Sequence, residues 1–172
     1  MTSGYNGDMD RIAFPRLVAA GIALVSGTAL ALAFIAQYGF DLWPCLLCYW
    51  QRVPYALTLG LGLLALLPYA DPKALRGLAF LCAALFLANA GLAFFHAGVE
   101  YKWWPGLASC GGIVRNFDIN DLAAALSKPQ TGGCEEAALR VFGISMAGGN
   151  VIVCGFTAVA VFWAALQKPR WV

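Results

Sequence analysis

Charged residues divide the chain into four long stretches that contain no Asp, Glu, Lys or Arg. The stretches cover residues 17–40, 53–70, 77–99 and 141–167, which is more than half of the 172 residues. A bilayer core of about 30 Å is crossed by about 20 apolar helical residues. Each stretch is long enough to cross once if the second also takes in residues before Arg52. The pattern predicts an all-α fold, a four-transmembrane-helix bundle with spans at about 15–36, 47–69, 75–97 and 146–167.

The composition agrees with a membrane protein. Hydrophobic residues make up 61% of the chain and charged residues only 12%, whereas soluble domains have about 25% charged residues. This composition excludes an ordinary soluble domain, a disordered chain and a nucleic-acid binder that acts through a basic face. The first stretch is too long for the apolar region of a cleaved signal peptide, so we interpret it as a span. Residues 1–172 then form a single integral membrane domain.

Lys and Arg residues orient the predicted spans. They occur in the N-terminal tail, in the connection after the second span and in the C-terminal tail: Arg11, Arg16, Lys73, Arg76, Lys168 and Arg170. The positive-inside rule therefore predicts that both termini are cytoplasmic. Loops at about 37–46 and 98–145 then face the outside. The longer loop is predicted to be irregular apart from a short interfacial helix that ends before Pro129.

The six cysteines fall into two groups. Cys82 and Cys154 lie within spans, where a free cysteine behaves as a small apolar residue. The other four lie on the outer side, which in bacteria is the oxidising compartment: Cys45, Cys48, Cys110 and Cys134. One interpretation of these four cysteines is that they form two structural disulfides. A bridge between Cys110 and Cys134 fits this interpretation. A bridge across the two residues between Cys45 and Cys48 constrains almost nothing, and C-x-x-C spacing favours a redox pair.

The surroundings of this pair favour reactive thiols. Pro44 is a natural helix start, so both cysteines are expected in the first turn, where the helix dipole favours a thiolate. Arg52 follows Cys48 by four residues. From that position it is expected to stabilise the Cys48 thiolate or to bind a carbonyl oxygen beside it. Alternatively, Arg52 reaches the lipid headgroups. His96 is either an interface residue with satisfied hydrogen bonds or a hydrogen-bond or proton donor to an acceptor bound between spans.

Metal chemistry is not predicted. A zinc site needs a second close pair of ligands, and Cys110 and Cys134 are far apart in the sequence. A haem held by paired histidines needs more than His96. The chain also contains no G-x-G-x-x-G loop for a nucleotide. A lipid-soluble quinone is the natural electron acceptor in a membrane. Small residues within the spans suit close helix packing around such a cofactor, among them Gly60, Gly62 and Gly91.

Several motifs closely resemble one family. Residues 44–52 read Pro-Cys-Leu-Leu-Cys-Tyr-Trp-Gln-Arg. The chain continues with His-Ala-Gly-Val-Glu at 96–100, Trp-Pro-Gly at 104–106, Cys110, Cys-Glu at 134–135 and Phe-Gly-Ile-Ser-Met at 142–146. These stretches are similar to the DsbB family, the quinone-reducing, disulfide-generating proteins of the bacterial inner membrane. The resemblance covers nearly the whole chain after the first dozen residues.

The resemblance implies a route for electrons. A reduced periplasmic thioredoxin-fold thiol oxidase of the DsbA type attacks the Cys110–Cys134 disulfide and joins Cys110. Cys134 then exchanges with the Cys45–Cys48 disulfide through Cys45. Cys48 is left as a thiolate that faces ubiquinone or menaquinone, which accepts two electrons. Arg52 and His96 are the implied quinone contacts, although the spacing after His96 departs from the family's pattern.

Two alternatives stay open from the sequence. A quinone or quinone-epoxide reductase of the vitamin K epoxide reductase type also combines a C-x-x-C motif with a loop pair on four spans. That motif is expected near the end of a later span. The other alternative is a non-enzymatic four-span scaffold with structural disulfides. Quinone reduction by the protein and a reduced thioredoxin-fold donor separates these possibilities.

Overall fold

The computed structural model describes residues 3–67, 71–107, 133–135, 137, 139–141 and 143–167. Within these residues lie four helices, α1 (Ser3–Gly39), α2 (Leu46–Ala65), α3 (Pro72–Glu100) and α4 (Met146–Leu166). Two short strands, β1 (Arg140–Val141) and β2 (Ile144–Ser145), pair antiparallel just before α4. The helical fold class agrees with the prediction, and α1 begins well before the predicted span.

Each of the last three helices begins at a residue suited to that position. Cys45 is the N-cap of α2, and its sulfur accepts a hydrogen bond from the backbone N–H of Cys48. Asp71 precedes α3, and Pro72 takes the first helical position, where a missing N–H costs nothing. Ser145 caps α4 by accepting from the N–H of Gly148 at 3.1 Å. Local sequence therefore fixes where the chain enters these helices.

Three of the described helices are long and apolar enough to cross a membrane. They are Ala13–Gly39 within α1, Lys73–Glu100 within α3, and α4. The 20-residue α2 is not among them. Its first half carries Gln51 and Arg52, which lower its mean hydropathy. The prediction of a fourth span, through α2, therefore stays a prediction.

The helices pack around a core of small and aromatic residues. α3 and α4 share the most extensive contact, followed by α1 with α2 and α2 with α3. The core includes Ala19, Tyr55, Phe86 and Ala158, all less than 9% exposed. Large apolar side chains cover the outside, and Phe156 is 76% exposed. An apolar exterior of this kind suits a lipid environment.

α1 and α2 approach each other closely at two points. The hydroxyl groups of Ser26 and Thr58 are fully buried and lie 2.8 Å apart. One turn further along α2, a Cβ added to Gly62 would lie 3.1 Å from the backbone nitrogen of Ala23. Gly62 thus has the predicted packing role. Gly60 and Gly91 do not, because an added Cβ would meet no described atom within 4 Å.

The chain between α3 and α4 is described only in part. The β1–β2 hairpin was not predicted, and Gly143 adopts a φ of 82° in its turn, a conformation that favours glycine. The predicted interfacial helix before Pro129 lies outside the described residues. The same holds for Cys110.

Candidate functional site: a dithiol at the start of α2

The C-x-x-C pair lies where the chain enters α2. Cys45 is the N-cap, with extended backbone angles, and Cys48 is in the first turn. The two sulfurs are 3.0 Å apart. The Cys48 backbone N–H also donates to the Cys45 sulfur at 3.3 Å. Capping geometry therefore brings the two sulfurs together, as the Pro44-Cys45 start of the motif predicts.

Both cysteines are free thiols in this structure. The Cys45 thiol donates to the Cys48 sulfur. This hydrogen bond, followed by burial, raises the pKa of Cys45 above its ordinary value. Cys45 is 4% exposed, whereas Cys48 is half-buried. The Cys45 thiol proton therefore points at Cys48, and Cys48 is the more accessible of the two sulfurs. The predicted Cys45–Cys48 disulfide stays a prediction.

His96 brings α3 into the site. Its Nε2 atom lies 3.4 Å from the Cys45 sulfur, although the residues are 51 positions apart in the sequence. Its Nδ1 atom lies 2.9 Å from Nε2 of Gln51 on α2. The imidazole is 3% exposed. His96 is thus a buried neighbour of the thiols with a contact at each ring nitrogen, and its predicted role towards a bound acceptor stays a prediction.

A chain of buried polar groups continues from His96 towards α4. Asn150 donates to the Gln51 oxygen at 2.6 Å, and the Tyr55 hydroxyl donates to the Asn150 oxygen at 2.5 Å. The Tyr55 oxygen also lies 3.0 Å from the Cys154 sulfur. Cys154 is therefore not the purely apolar residue that its sequence position predicts. These hydrogen bonds hold the Gln51 side chain in place, and Gln51 in turn holds the ring of His96.

The hydrogen bonds of this polar chain can run in either of two directions, which we call its two polarities. In this structure Nε2 of Gln51 faces Nδ1 of His96, so Nδ1 accepts and His96 carries its proton on Nε2. If the amides of Gln51 and Asn150 turn over together, the Gln51 oxygen accepts from Nδ1–H. The free lone pair of Nε2 then faces Cys45. Tyr55 permits both states because a hydroxyl group both donates and accepts.

The carboxyl group of Glu100 lies near the same ring nitrogen of His96 as the Cys45 sulfur. Oε1 of Glu100 is 3.7 Å from Nε2 of His96, and both side chains are 4% exposed. Oε2 of Glu100 is buried and has no hydrogen-bond partner among the described residues. A buried polar atom without a partner is uncommon in native proteins.

Arg52 points towards α1 in this structure. Its guanidinium donates to Oε1 of Gln37 at 2.6 Å and to the carbonyl oxygen of Ala33 at 3.4 Å. The same group lies 5.1 Å from the ring centres of Phe34 and Tyr49. These contacts hold a cation one turn below Cys48. The predicted contact between Arg52 and a quinone stays a prediction.

The loop cysteine Cys134 lies close to the dithiol. It is fully buried and belongs to one apolar cluster with Cys45, Leu47 and Val99. Cys134 is disulfide-bonded. Its predicted partner Cys110 is outside the described residues, so that pairing stays a prediction. Cys82 is 1% exposed in the apolar core, as expected for a structural cysteine.

Three site residues were not singled out from the sequence: Gln51, Glu100 and Asn150. Asn150 is a polar residue in an uncharged stretch, and polar residues inside spans often have a function. Glu100 follows His96 by four residues and thus shares its helix face. These patterns were sufficient to find both residues. The sequence argument against a zinc site did not pair His96 with Cys45 and Cys48. The proximity of His96 to Cys45 depends on the packing of α3 against α2.

An apolar helical bundle with a buried dithiol, a histidine and a nearby loop cysteine defines a membrane thiol oxidoreductase. A family model described as disulfide bond formation protein DsbB matches residues 15–164. The chain belongs to this family. It is 29% identical over 146 residues to "Disulfide bond formation protein B" of Hahella chejuensis, covering 82% of this chain and 87% of the relative. It is 27% identical over 147 residues to "Uncharacterized protein RP370" of Rickettsia prowazekii, covering 84% and 82%. No solved structure matches the chain.

Family membership implies a disulfide-forming oxidoreductase. Together with the three apolar helices, it indicates a multi-pass protein of the inner membrane. It supports the first of the three sequence interpretations, and the site geometry supplies the thiols that such an activity requires.

Proposed function

We propose that the protein is a membrane thiol:quinone oxidoreductase. It reoxidises a periplasmic DsbA-like thiol oxidase by disulfide exchange and passes two electrons to ubiquinone or menaquinone. The observation that carries the proposal is the buried dithiol, with sulfurs 3.0 Å apart and His96 3.4 Å from one of them. Such a pair is able to close into a disulfide with only a small shift of either side chain.

The order of exchange follows from exposure and proximity. We assign the loop pair Cys110–Cys134 as the disulfide that a soluble oxidase attacks, with Cys110 as the attacked sulfur because Cys134 is fully buried. Cys134 shares a buried cluster with Cys45, which favours Cys45 as the sulfur that exchanges with the loop. Thiol exchange requires direct approach of a thiolate to a disulfide sulfur. Cys48 is then the sulfur released as a thiolate, and its partial exposure leaves it open to an acceptor.

The residues around Cys48 fit a quinone. The quinone, when bound, supplies the oxidant that takes up two electrons and two protons. Arg52 and His96 are the residues that would hold its carbonyl oxygens, since a guanidinium and an imidazole N–H both donate hydrogen bonds.

His96 also accepts a proton from the dithiol. Closing the Cys45–Cys48 disulfide releases two protons and two electrons. Nε2 of His96 lies within reach of the Cys45 sulfur. In the polarity that leaves Nε2 unprotonated, the imidazole accepts the Cys45 proton and holds it within the buried site. The Gln51 side chain keeps the ring in place during this transfer.

The test is quinone reduction by purified protein with a reduced thioredoxin-fold donor. Cys45→Ser and Cys48→Ser should each reduce the rate to background, because neither variant is able to form the disulfide. Cys82→Ser is the matched control, since Cys82 is an equally buried thiol in the apolar core. It should keep the wild-type rate. Wild-type turnover in either redox-pair variant contradicts the proposal, as does a lack of turnover with every donor and quinone.

A further inference from the structure

We propose that the reduced dithiol and His96 form a binding site for a zinc ion. The ligand atoms are the sulfurs of Cys45 and Cys48 and a ring nitrogen of His96, and all three lie within 4.8 Å of one another. Two cysteines and one histidine are a ligand set that zinc uses in proteins. Zinc binding would hold the protein in its reduced form, a consequence that rests on the proposed function.

The distances are close to those of a tetrahedral zinc site. With Zn–S of about 2.3 Å and Zn–N of about 2.0–2.1 Å, two sulfur ligands lie roughly 3.7 Å apart. The sulfurs are 3.0 Å apart, and Cys45 Sγ is 3.4 Å from His96 Nε2. A small rotation of Cys48, which is half-buried, is sufficient to open the pair around an ion.

The charges of the ligands favour a divalent cation. Two thiolates and one divalent cation are electrically neutral together, so a buried site holds them without a net charge. Binding converts two thiols into thiolates and releases two protons to solvent. No oxidation or reduction takes place.

The polar chain supplies the outer support of the site. Histidines that bind zinc usually donate their second N–H to a carbonyl or carboxylate oxygen. With the amides of Gln51 and Asn150 turned over, Nδ1–H of His96 donates to Gln51 and Nε2 is free for the metal. Oε1 of Glu100 lies 3.7 Å from Nε2 but is not one of the three clustered ligand atoms. Thus zinc selects the second polarity of the chain.

The disulfide form lacks the site, since a disulfide has no thiolate to donate. Zinc and quinone therefore compete for the reduced protein. We expect zinc to raise the apparent KM for quinone and to leave the rate at saturating quinone unchanged. A chelator should reverse the effect completely.

Binding is tested without donor or quinone, so its outcome is independent of quinone reductase activity. The probe is Zn²⁺, titrated calorimetrically into the reduced full-length chain without oxygen, in a Cys110→Ser/Cys134→Ser background that removes the loop thiols. We expect one zinc per chain, release of about two protons at neutral pH, and no binding after oxidation. Co²⁺ should give the absorption of a thiolate-bound ion at the same stoichiometry.

Variants identify the ligands. His96→Gln removes a direct ligand, so zinc binding should weaken by more than the roughly 10–100-fold typical of losing an outer-shell partner, and Cys48→Ser should abolish it. Gln51→Glu should strengthen binding, because a carboxylate accepts more strongly from Nδ1–H. Cys82→Ser, which removes a buried thiol of the apolar core outside both the ligand set and the polar chain, should bind as the parent does. Equal affinity in His96→Gln and its parent overturns the three-ligand site, as does zinc binding by the oxidised protein.

Discussion

At the scale of single residues, the site is built around the ring of His96. Sequence spacing identified the Cys45–Cys48 pair because both residues belong to one helix start. Spacing did not place His96 on the pair, because that contact depends on how α3 packs against α2. The contacts of Gln51 with His96 and Asn150 were not predictable for the same reason. Their hydrogen bonds join three helices, and no local pattern encodes such a contact.

Gln51 is a positioning residue, and its loss should affect the chemistry more than the fold. Gln51→Leu removes the partner of Nδ1, and an unpaired buried group costs about 1–3 kcal/mol. We expect kcat for quinone reduction to fall about ten- to hundred-fold and its pH profile to shift, with a smaller change in KM. Gln51→Glu keeps an acceptor for Nδ1–H and should retain activity within a few-fold.

Thr157→Val provides the matched control for this prediction. Thr157 is a buried polar residue on α4 whose hydroxyl donates to its own helix, to the carbonyl of Val153 at 2.7 Å. It therefore lies outside the polar chain. An unchanged pH profile in Gln51→Leu, or an equal loss in Thr157→Val, contradicts a positioning role for Gln51.

At the scale of elements, the positions of charges predicted the helices well but not their limits. The predicted second and fourth spans begin within one residue of α2 and α4, because Pro44 and Ser145 give clear start signals. α1 begins 12 residues earlier than its span. Helical hydrogen bonding continues past Arg11 and Arg16, since a charge limits a membrane span but does not end a helix. The β1–β2 hairpin was too short for any periodicity to predict.

The contact between α1 and α2 predicts different responses at two glycines of one helix. Gly62→Leu introduces atoms where a Cβ already lies 3.1–3.3 Å from Ala19 and Ala23. Overpacking of this kind costs about 1–3 kcal/mol, so the thermal midpoint in detergent should fall. Gly60→Leu places the same side chain on an exposed face and should leave the midpoint unchanged or raised, because leucine favours helix more than glycine does. Equal midpoints in the two variants contradict this packing.

At the scale of the whole molecule, hydropathy and charge predicted a helical bundle in a membrane, and the inner-membrane location follows from family membership. The depth of each cysteine then separated Cys82 and Cys154 from the four cysteines that are predicted to be redox-active. The proximity of Cys134 to Cys45 was not available from hydropathy. Cys134 is buried with Leu47 at the start of α2 and with Val99 near the end of α3.

The positive-inside rule makes the orientation of the bundle testable. In a chain with all six cysteines replaced by serine, single cysteines are introduced at Lys73, beside the start of α3, and at Leu107, beyond its end; both positions are exposed. With cytoplasmic termini and four spans, Leu107→Cys faces the periplasm and Lys73→Cys the cytoplasm. A membrane-impermeant maleimide should label Leu107→Cys in intact spheroplasts and label Lys73→Cys only after lysis. The reverse pattern contradicts the predicted orientation, and labelling of both in intact spheroplasts means that α3 does not cross the membrane.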